Sequence, residues 1–102
     1  PNTYPFQSPP AYCNLDTDTY PYPDESFDVV YSKSVIEHLN NPEHFLGESR
    51  RILKKGGKLI IMTPDWHSQY LIFYNDHTHV HPYTKSGLED MLKMFEFKDI
   101  SV

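Results

Sequence analysis

Three histidines alternate with other residues in the segment DHTHVHPY, which spans residues 76–83. An imidazole titrates near neutral pH, so such a side chain can accept a proton from a reacting group or bind a metal ion. In an extended chain His77, His79 and His81 would share one face, with about 6.6 Å between neighbours. A zinc site needs further ligands, and Asp76 would point to the opposite face of a strand. The alternation therefore predicts no metal site by itself.

Polar residues also follow three short apolar segments. They are residues 14–18 (NLDTD), 32–34 (SKS) and 65–67 (DWH). In open α/β sheets, ligands bind at the carboxyl ends of the strands. If the apolar segments are strands, these polar residues are candidate ligand contacts.

Two of the apolar segments have the composition of buried parallel strands. Residues 27–31 (FDVVY) are short, rich in β-branched and aromatic residues, and flanked by turn residues. Residues 58–63 (KLIIMT) form a second such run, which ends before Pro64. We predict that both lie in one sheet.

A helix is predicted between these strands. Asn41 can cap its first turn, Pro42 suits its first position, and Gly56 is its predicted end. A tight glycine turn would then lead into the second strand. The predicted buried face consists of Phe45, Leu46, Ser49, Ile52 and Leu53.

The remaining elements are predicted from shorter signals. They are a strand at 11–16, a helical turn at 70–74, a helix that buries Leu88, and a final strand at 95–102. The last helix has two alternative caps, Thr84 or a capping box from Ser86 to Glu89. The order strand, strand, helix, strand, helix, strand predicts an α/β fold with a mostly parallel sheet and flanking helices.

Composition narrows the class of protein. The chain has 102 residues and a formal net charge of -5, which gives no electrostatic basis for nucleic-acid binding. No apolar run approaches the roughly 20 residues of a membrane span. A single cysteine, Cys13, cannot form an internal disulfide, so a cytoplasmic location is expected. Residues 1–10 (PNTYPFQSPP) are predicted to be a proline-rich arm or linker.

Two longer stretches resemble class I S-adenosylmethionine-dependent methyltransferases of type 11 and type 12. The first, YPYPDESFDVV at 20–30, is similar to a family pattern of an apolar-proline triplet, an acidic turn and Phe-Asp before a strand. The second, VIEHLNNPEHFLGESRRILKKGGKLIIMTP at 35–64, continues the pattern through the next helix and strand. The resemblance implies a Rossmann-like sheet, the cofactor S-adenosylmethionine, and a methyl acceptor that is a small molecule, a lipid or a sugar intermediate.

The resemblance also implies the cofactor contacts. Asp16 stands where the family's adenine-binding aspartate usually lies, and Asn14 stands where some relatives place that residue, so the register between them stays open. Leu15 would contribute its backbone amide or pack on the adenine ring. Ser32 and Lys33 match the residues that line the methionine end of the cofactor in similar enzymes.

Candidate residues for the acceptor follow from the same resemblance. Similar enzymes often carry a histidine just before the last helix, which makes His79 the predicted catalytic base. Trp66 and Tyr70 would wall the acceptor pocket, with His38 beside them. Ubiquinone-pathway relatives pair a similar Glu-His with an earlier glutamate at a divalent cation, but that earlier position is Ser34 here, so no metal site is predicted.

The first half of the family's domain has no counterpart in this sequence. A glycine-rich strand-loop-helix is missing, and Gly56-Gly57 cannot replace it because these glycines lead from a helix into a strand. Residues 11–102 are therefore expected to be the C-terminal half of a methyltransferase domain, with its first strands lacking. The alternative is a non-enzymatic half-domain that binds a partner or forms a homo-oligomer through an exposed sheet edge.

Overall fold

The computed structural model describes residues 11–101, and the predicted arm at 1–10 lies outside them. In chain order the elements are β1 (Phe27–Lys33), a 3-10 turn (Ile36–His38), α1 (Pro42–Ile52), β2 (Leu53–Met62), α2 (Trp66–Gln69), a second 3-10 turn (Phe73–Asn75) and α3 (Lys85–Met94). Among the described residues, no helix is long and apolar enough to cross a membrane.

The two strands pair in parallel, as the sequence predicts. The register sets Val30 opposite Leu59 and Ser32 opposite Ile61. Because side chains alternate along a strand, one face of this pair turns toward the helices, while the other face stays exposed. The exposed face carries Val29, Tyr31, Ile60 and Met62.

Helix α1 crosses between the strands and begins where the sequence predicts. The Asn41 side chain accepts a hydrogen bond from the His44 amide, and Pro42 occupies the first turn. The helix ends at Ile52, so the predicted end at Gly56 is wrong. Strand pairing begins at Leu53, and residues 54–57 (KKGG) lie inside β2, where the register with β1 is irregular. The buried residues of α1 are Pro42, Phe45, Leu46, Ser49 and Ile52.

The two glycines shape this entry into β2. Gly56 has a φ of 79°, a conformation that L side chains rarely adopt. A Cβ atom on Gly57 would lie 2.8 Å from the Lys54 carbonyl oxygen and 3.0 Å from that of Asp28. The glycines therefore permit a bent strand start rather than a helix stop.

The strands predicted at the two ends of the described region are wrong. Residues 11–16 form no strand and lead into a turn closed by the Asp18 amide on the Asn14 carbonyl oxygen. The described part of 95–102 is also irregular, and Phe95 and Phe97 pack on the core instead. A strand needs a pairing partner, and β1 and β2 pair only with each other in the described sheet.

Helix α3 resolves the choice between two caps. The Thr84 hydroxyl oxygen accepts a hydrogen bond from the Gly87 amide at 3.0 Å, while Ser86 lies inside the helix. Leu88 is the buried residue of α3. The core that joins α3 to α1 and the first 3-10 turn contains Tyr20, Ile36, Leu39, Phe45, Leu46, Ile52, Tyr83 and Leu88.

Candidate functional site

The carboxyl ends of β1 and β2 lie side by side, which brings the polar residues after them to one edge. The pairing continues to Lys33 opposite Met62, and the Ser34 amide donates to the Met62 carbonyl oxygen at 2.8 Å. Ser34 has a φ of 57°, which turns the chain sharply out of the strand and into the 3-10 turn. This edge is therefore the place to look for a ligand site.

Three of the five predicted cofactor residues line one shallow cleft of about 260 Å³. These are Leu15, Ser32 and Lys33, and Ser49 of α1 lies on the same cleft. The hydroxyls of Ser32 and Ser49 are buried and find no hydrogen-bond partner among the described residues. Buried hydroxyls are normally satisfied, so these two oxygens beside the cleft are exceptions within the described part of the chain.

The two candidates for the adenine contact are tied into the local turn. The Asn14 side-chain oxygen accepts from the Asp16 amide at 2.9 Å. The two carboxylate oxygens of Asp16 accept from the amides of Asn40 and Asn41, at 3.2 and 2.8 Å. Asp16 thus holds the turn against the start of α1, a structural role that the sequence did not predict. The geometry leaves the register between Asn14 and Asp16 open.

A second group of polar side chains surrounds Glu37, in the first 3-10 turn. Glu37 is 1 % exposed, and one of its carboxylate oxygens accepts from the Thr63 hydroxyl at 2.8 Å. The other oxygen lies 3.6 Å from His38 Nε2 and 4.0 Å from His79 Nε2. The predicted base His79 and the predicted substrate contact His38 are therefore neighbours, with ring centroids 4.7 Å apart.

The loop at 76–81 is a turn rather than the extended segment assumed for the alternating histidines. His79 faces Glu37, whereas His77 and His81 are exposed. The side chain of Asp76 points toward His79, with 3.5 Å between its Oδ2 and the Nε2 atom, contrary to its predicted direction. Hydrogen bonds from Thr78 to the Asp76 carboxylate lower the pKa of that carboxyl. An Asx turn from Asp76 to Thr78 is the sequence signal that would have predicted this geometry.

Aromatic residues after β2 form a cluster beside His79. The Trp66 ring lies 6.0 Å from Tyr70 and 5.8 Å from Phe73, measured between centroids. Phe73 is buried and its ring lies 4.5 Å from the imidazole of His79. Phe73 thus packs between Trp66, a predicted wall of the acceptor pocket, and His79, the predicted base. The sequence did not predict this role of Phe73.

The Tyr83 hydroxyl lies close to this region and is also buried without a described hydrogen-bond partner. Burial raises the pKa of Tyr83 to about 12, and the carboxylates of Glu43 and Glu37 add to the effect. The phenol is therefore neutral at physiological pH and can serve as a hydrogen-bond donor.

A larger surface depression of about 990 Å³ lies at the opposite end of the strands. Its lining includes Arg50, Lys54, Gly57 and Lys58, and none of the predicted site residues. Nearby, Arg51 donates to the carboxylates of Glu48 and Asp24 and to the carbonyl oxygens of Tyr20 and Tyr22. These bonds raise the pKa of Arg51 and lower that of Glu48.

Parallel strands joined by a helix, with a polar edge at their carboxyl ends, define a Rossmann-like α/β unit. Comparison with known proteins identifies its family. The family model of the methyltransferase domain matches residues 3–61. The chain therefore belongs to the methyltransferase-domain family, which confirms the predicted family of S-adenosylmethionine-dependent enzymes and the predicted fold class.

Individual relatives agree with this assignment. Malonyl-[acyl-carrier protein] O-methyltransferase 1 of Coxiella burnetii is 34 % identical over 83 residues, which cover 78 % of this chain and 29 % of the relative. A solved S-adenosylmethionine-dependent methyltransferase from Thermotoga maritima matches with a TM-score of 0.73 and 26 % identity. This match covers 85 % of the present chain and 44 % of the Thermotoga chain. A putative methyltransferase from Bacillus halodurans matches with a TM-score of 0.71 and 27 % identity. This match covers 83 % of this chain and 43 % of the Bacillus chain.

The chain thus spans less than half the length of these three relatives.

Proposed function

We propose that the protein carrying this sequence transfers the methyl group of S-adenosylmethionine to a small-molecule acceptor, a class that includes lipid and sugar intermediates. The observation that carries the proposal is the polar edge at the ends of β1 and β2 in a chain of the methyltransferase-domain family. Residues 11–102 would be the C-terminal half of the catalytic domain, in line with the share of each relative that the chain covers.

Leu15, Ser32 and Lys33 are proposed to contact the cofactor. They line the cleft whose two unsatisfied hydroxyls belong to Ser32 and Ser49. Ser32 and Lys33 would face the methionine end through main-chain oxygens, which favours a cationic amino group. At the adenine end, the contact is Asn14 or Asp16, both of which lie in the turn next to Leu15.

Methyl transfer from a sulfonium is an in-line displacement, so the protein mainly aligns the acceptor and excludes water. His79 is proposed to accept the proton of the acceptor. Its Nδ1 lies 2.7 Å from the Phe73 carbonyl oxygen, which can only accept a hydrogen bond. The proton of a neutral ring therefore sits on Nδ1, and Nε2 keeps the lone pair that a base needs.

The acceptor pocket is proposed to lie between the aromatic cluster and the histidine pair. Trp66 and Tyr70 supply apolar walls, and His38 lies on the same side as His79. Tyr70 is 54 % exposed, so its ring has surface left for a ligand. The Coxiella relative is named as an O-methyltransferase of malonyl-[acyl-carrier protein], so an acceptor oxygen is one candidate here.

A second candidate function rests on the exposed apolar face of the sheet. Val29, Tyr31, Ile60 and Met62 are each 45 % exposed or more, and β1 has an unpaired edge among the described residues. Such a surface favours association with another polypeptide, so a half-domain of this sequence would act as a partner-binding or homo-oligomeric module.

The predicted cytoplasmic location and the predicted lack of nucleic-acid binding remain predictions.

Isothermal titration of S-adenosylhomocysteine into the protein in its full natural length tests the choice. The enzyme proposal predicts saturable binding near one ligand per chain, weakened in Ser32→Trp, which would fill the cleft. The matched control is Ser26→Trp, at a partly exposed serine outside the cleft. Absence of binding, together with a concentration-dependent increase in mass by light scattering, would favour the module instead.

A further inference from the structure

We propose that Glu37, His38 and His79 bind a divalent transition-metal ion, with zinc the best match. One ligand atom from each residue lies within 4.8 Å of the other two. A common ion about 2.1 Å from each ligand atom allows separations up to about 4.2 Å. The Glu37 oxygen lies within that limit, at 3.6 Å from His38 Nε2 and 4.0 Å from His79 Nε2. The full spread of 4.8 Å exceeds it, so the two imidazoles must move closer by about half an ångström to share one ion.

The protonation of the two imidazoles follows from their other hydrogen bonds. His38 Nδ1 lies 3.1 Å from the Thr78 carbonyl oxygen, and His79 Nδ1 lies 2.7 Å from that of Phe73. A carbonyl oxygen only accepts, so His79 donates from Nδ1 and a neutral His79 ring presents a lone pair at Nε2. His38 Nδ1 also lies 2.9 Å from the Thr78 hydroxyl, so its Nε2 presents a lone pair in the tautomer that donates from Nδ1.

Both Nε2 atoms face the same Glu37 carboxylate oxygen, and His79 Nε2 also lies 3.5 Å from Asp76 Oδ2. Three atoms of the kinds that bind metal ions thus converge in a place where Glu37 is almost fully buried. A buried carboxylate is unfavourable unless it is paired with a positive charge, which a protonated imidazole or a metal ion can supply. A metal ion supplies that charge and uses all three lone pairs at once.

The surroundings hold the ligands in place. The Thr63 hydroxyl donates to the second oxygen of Glu37, which leaves the first oxygen directed at the histidines. The Glu37 carbonyl oxygen accepts from the amides of Val80 and His81, which fixes the loop that carries His79. Imidazoles that donate their other nitrogen to a carbonyl, and a carboxylate held by a hydroxyl, are typical partners of metal ligands.

The donor set selects the class of ion. Two imidazole nitrogens and one carboxylate oxygen suit zinc and its first-row neighbours, whereas magnesium and calcium prefer oxygen ligands. Three protein ligands also leave a position open, as in catalytic zinc sites. His79, rather than a residue at position 34, completes the set, so the sequence argument against a metal, which rested on Ser34, does not apply to this cluster.

The site goes beyond the proposed methyl transfer and does not depend on it. With an ion bound, His79 Nε2 holds the metal instead of taking the acceptor's proton directly. An acceptor oxygen at the open position would then lose its proton more easily, because a bound cation lowers the pKa of its ligands. Metal binding and cofactor binding can be measured separately, because the metal ligands are not among the residues that line the proposed cofactor cleft.

The test is a titration of Co²⁺ into the chelator-treated protein of full natural length, followed by visible absorption, with Zn²⁺ affinity measured by competition. We expect one saturable site per chain with absorption bands of imidazole ligation. His38→Gln and His79→Gln should each weaken binding at least about 10- to 100-fold. Glu37→Gln, nearly identical in shape, should do the same.

His77→Gln is the matched control, because His77 is exposed on the same loop and outside the cluster. Its Co²⁺ affinity should equal that of the unmodified protein, and circular dichroism should show that all variants fold. The proposal is overturned if the unmodified protein shows no saturable Co²⁺ site, or if His77→Gln weakens binding as much as His79→Gln. S-adenosylhomocysteine affinity, measured in parallel, reports on the proposed methyltransferase function independently of either result.

Discussion

The two ends of the β1–β2 pair differ in how far their polar groups are satisfied by hydrogen bonds. Near the amino ends, Arg51 meets two carboxylates and two carbonyl oxygens, so donors and acceptors match. At the carboxyl ends, Glu37 faces the Nε2 atoms of two imidazoles, and the hydroxyls of Ser32 and Tyr83 are buried without described partners. A matched network stabilises the fold, whereas the unmatched groups lie at the end of the strands where the ligand sites are proposed.

The first prediction concerns His79, the proposed general base. His79→Gln should lower kcat for methyl transfer by roughly 10²-fold or more, because it removes either a general base or a metal ligand. Its KM for S-adenosylmethionine should change little, since His79 is not among the residues of the proposed cofactor cleft. Steady-state kinetics against His77→Gln as control would check this, and an unchanged kcat would remove His79 from the site.

The second prediction concerns the hydroxyl that supports Glu37. Thr63→Val leaves a buried carboxylate oxygen without its donor, so the free energy of unfolding should fall by about 1–3 kcal/mol. Urea denaturation in the presence of EDTA measures this without a metal contribution. Thr17→Val, at an exposed threonine, is the control and should stay within about 0.5 kcal/mol of the unmodified protein. Equal effects of the two substitutions would contradict the buried role of Thr63.

The third prediction concerns the matched network and its dependence on pH. Hydrogen bonds from Arg51 lower the pKa of Glu48 in the folded state. Glu48 therefore contributes stability that is full above its ordinary pKa of 4.5 and is lost as pH falls through its lowered value. Glu48→Gln should be less stable than the unmodified protein at pH 7, with the difference shrinking in acid. Melting temperatures between pH 7 and 3 measure it, and a pH-independent difference would exclude this linkage.

The smallest effect is expected at a hydroxyl with no partner. Tyr83→Phe removes a buried group that makes no described hydrogen bond, so stability should change by less than about 1 kcal/mol and can rise. Thermal unfolding would show this. A clear loss of stability would mean that the Tyr83 hydroxyl is satisfied, and the contrast between the two ends of the strands would weaken.

The sequence predicted the central unit because its signals are local and agree with each other. Asn41 and Pro42 mark the start of α1, and the β-branched runs mark the two strands that pair in parallel. The strands predicted at 11–16 and 95–102 fail because strand formation depends on a pairing partner, which a local pattern does not reveal. Gly56 was misread because a glycine with positive φ suits a bent strand entry as well as a helix end.

The candidate site was predicted in its parts rather than in its arrangement. The family resemblance singled out His38 and His79, but 41 positions separate them, and only the fold brings their rings to 4.7 Å. The burial of Glu37 between them was not predictable from the Glu-His pair alone. The contact of Thr63 with Glu37 and that of Asp76 with His79 were not predicted, since the first depends on how β2 ends beside the 3-10 turn and the second on how the 76–81 loop folds.

The most direct test of the contrast is a ¹⁵N-¹H NMR titration of the full-length protein with S-adenosylhomocysteine. The account predicts that amide shifts change at Leu15, Ser32 and Lys33, at the carboxyl ends of the strands. The amides of Arg51, Lys54 and Lys58, at the opposite end, should stay unchanged. Shifts that cluster around Arg51 and the depression that it lines would place the cofactor at the opposite end of the strands and contradict the proposed cofactor site.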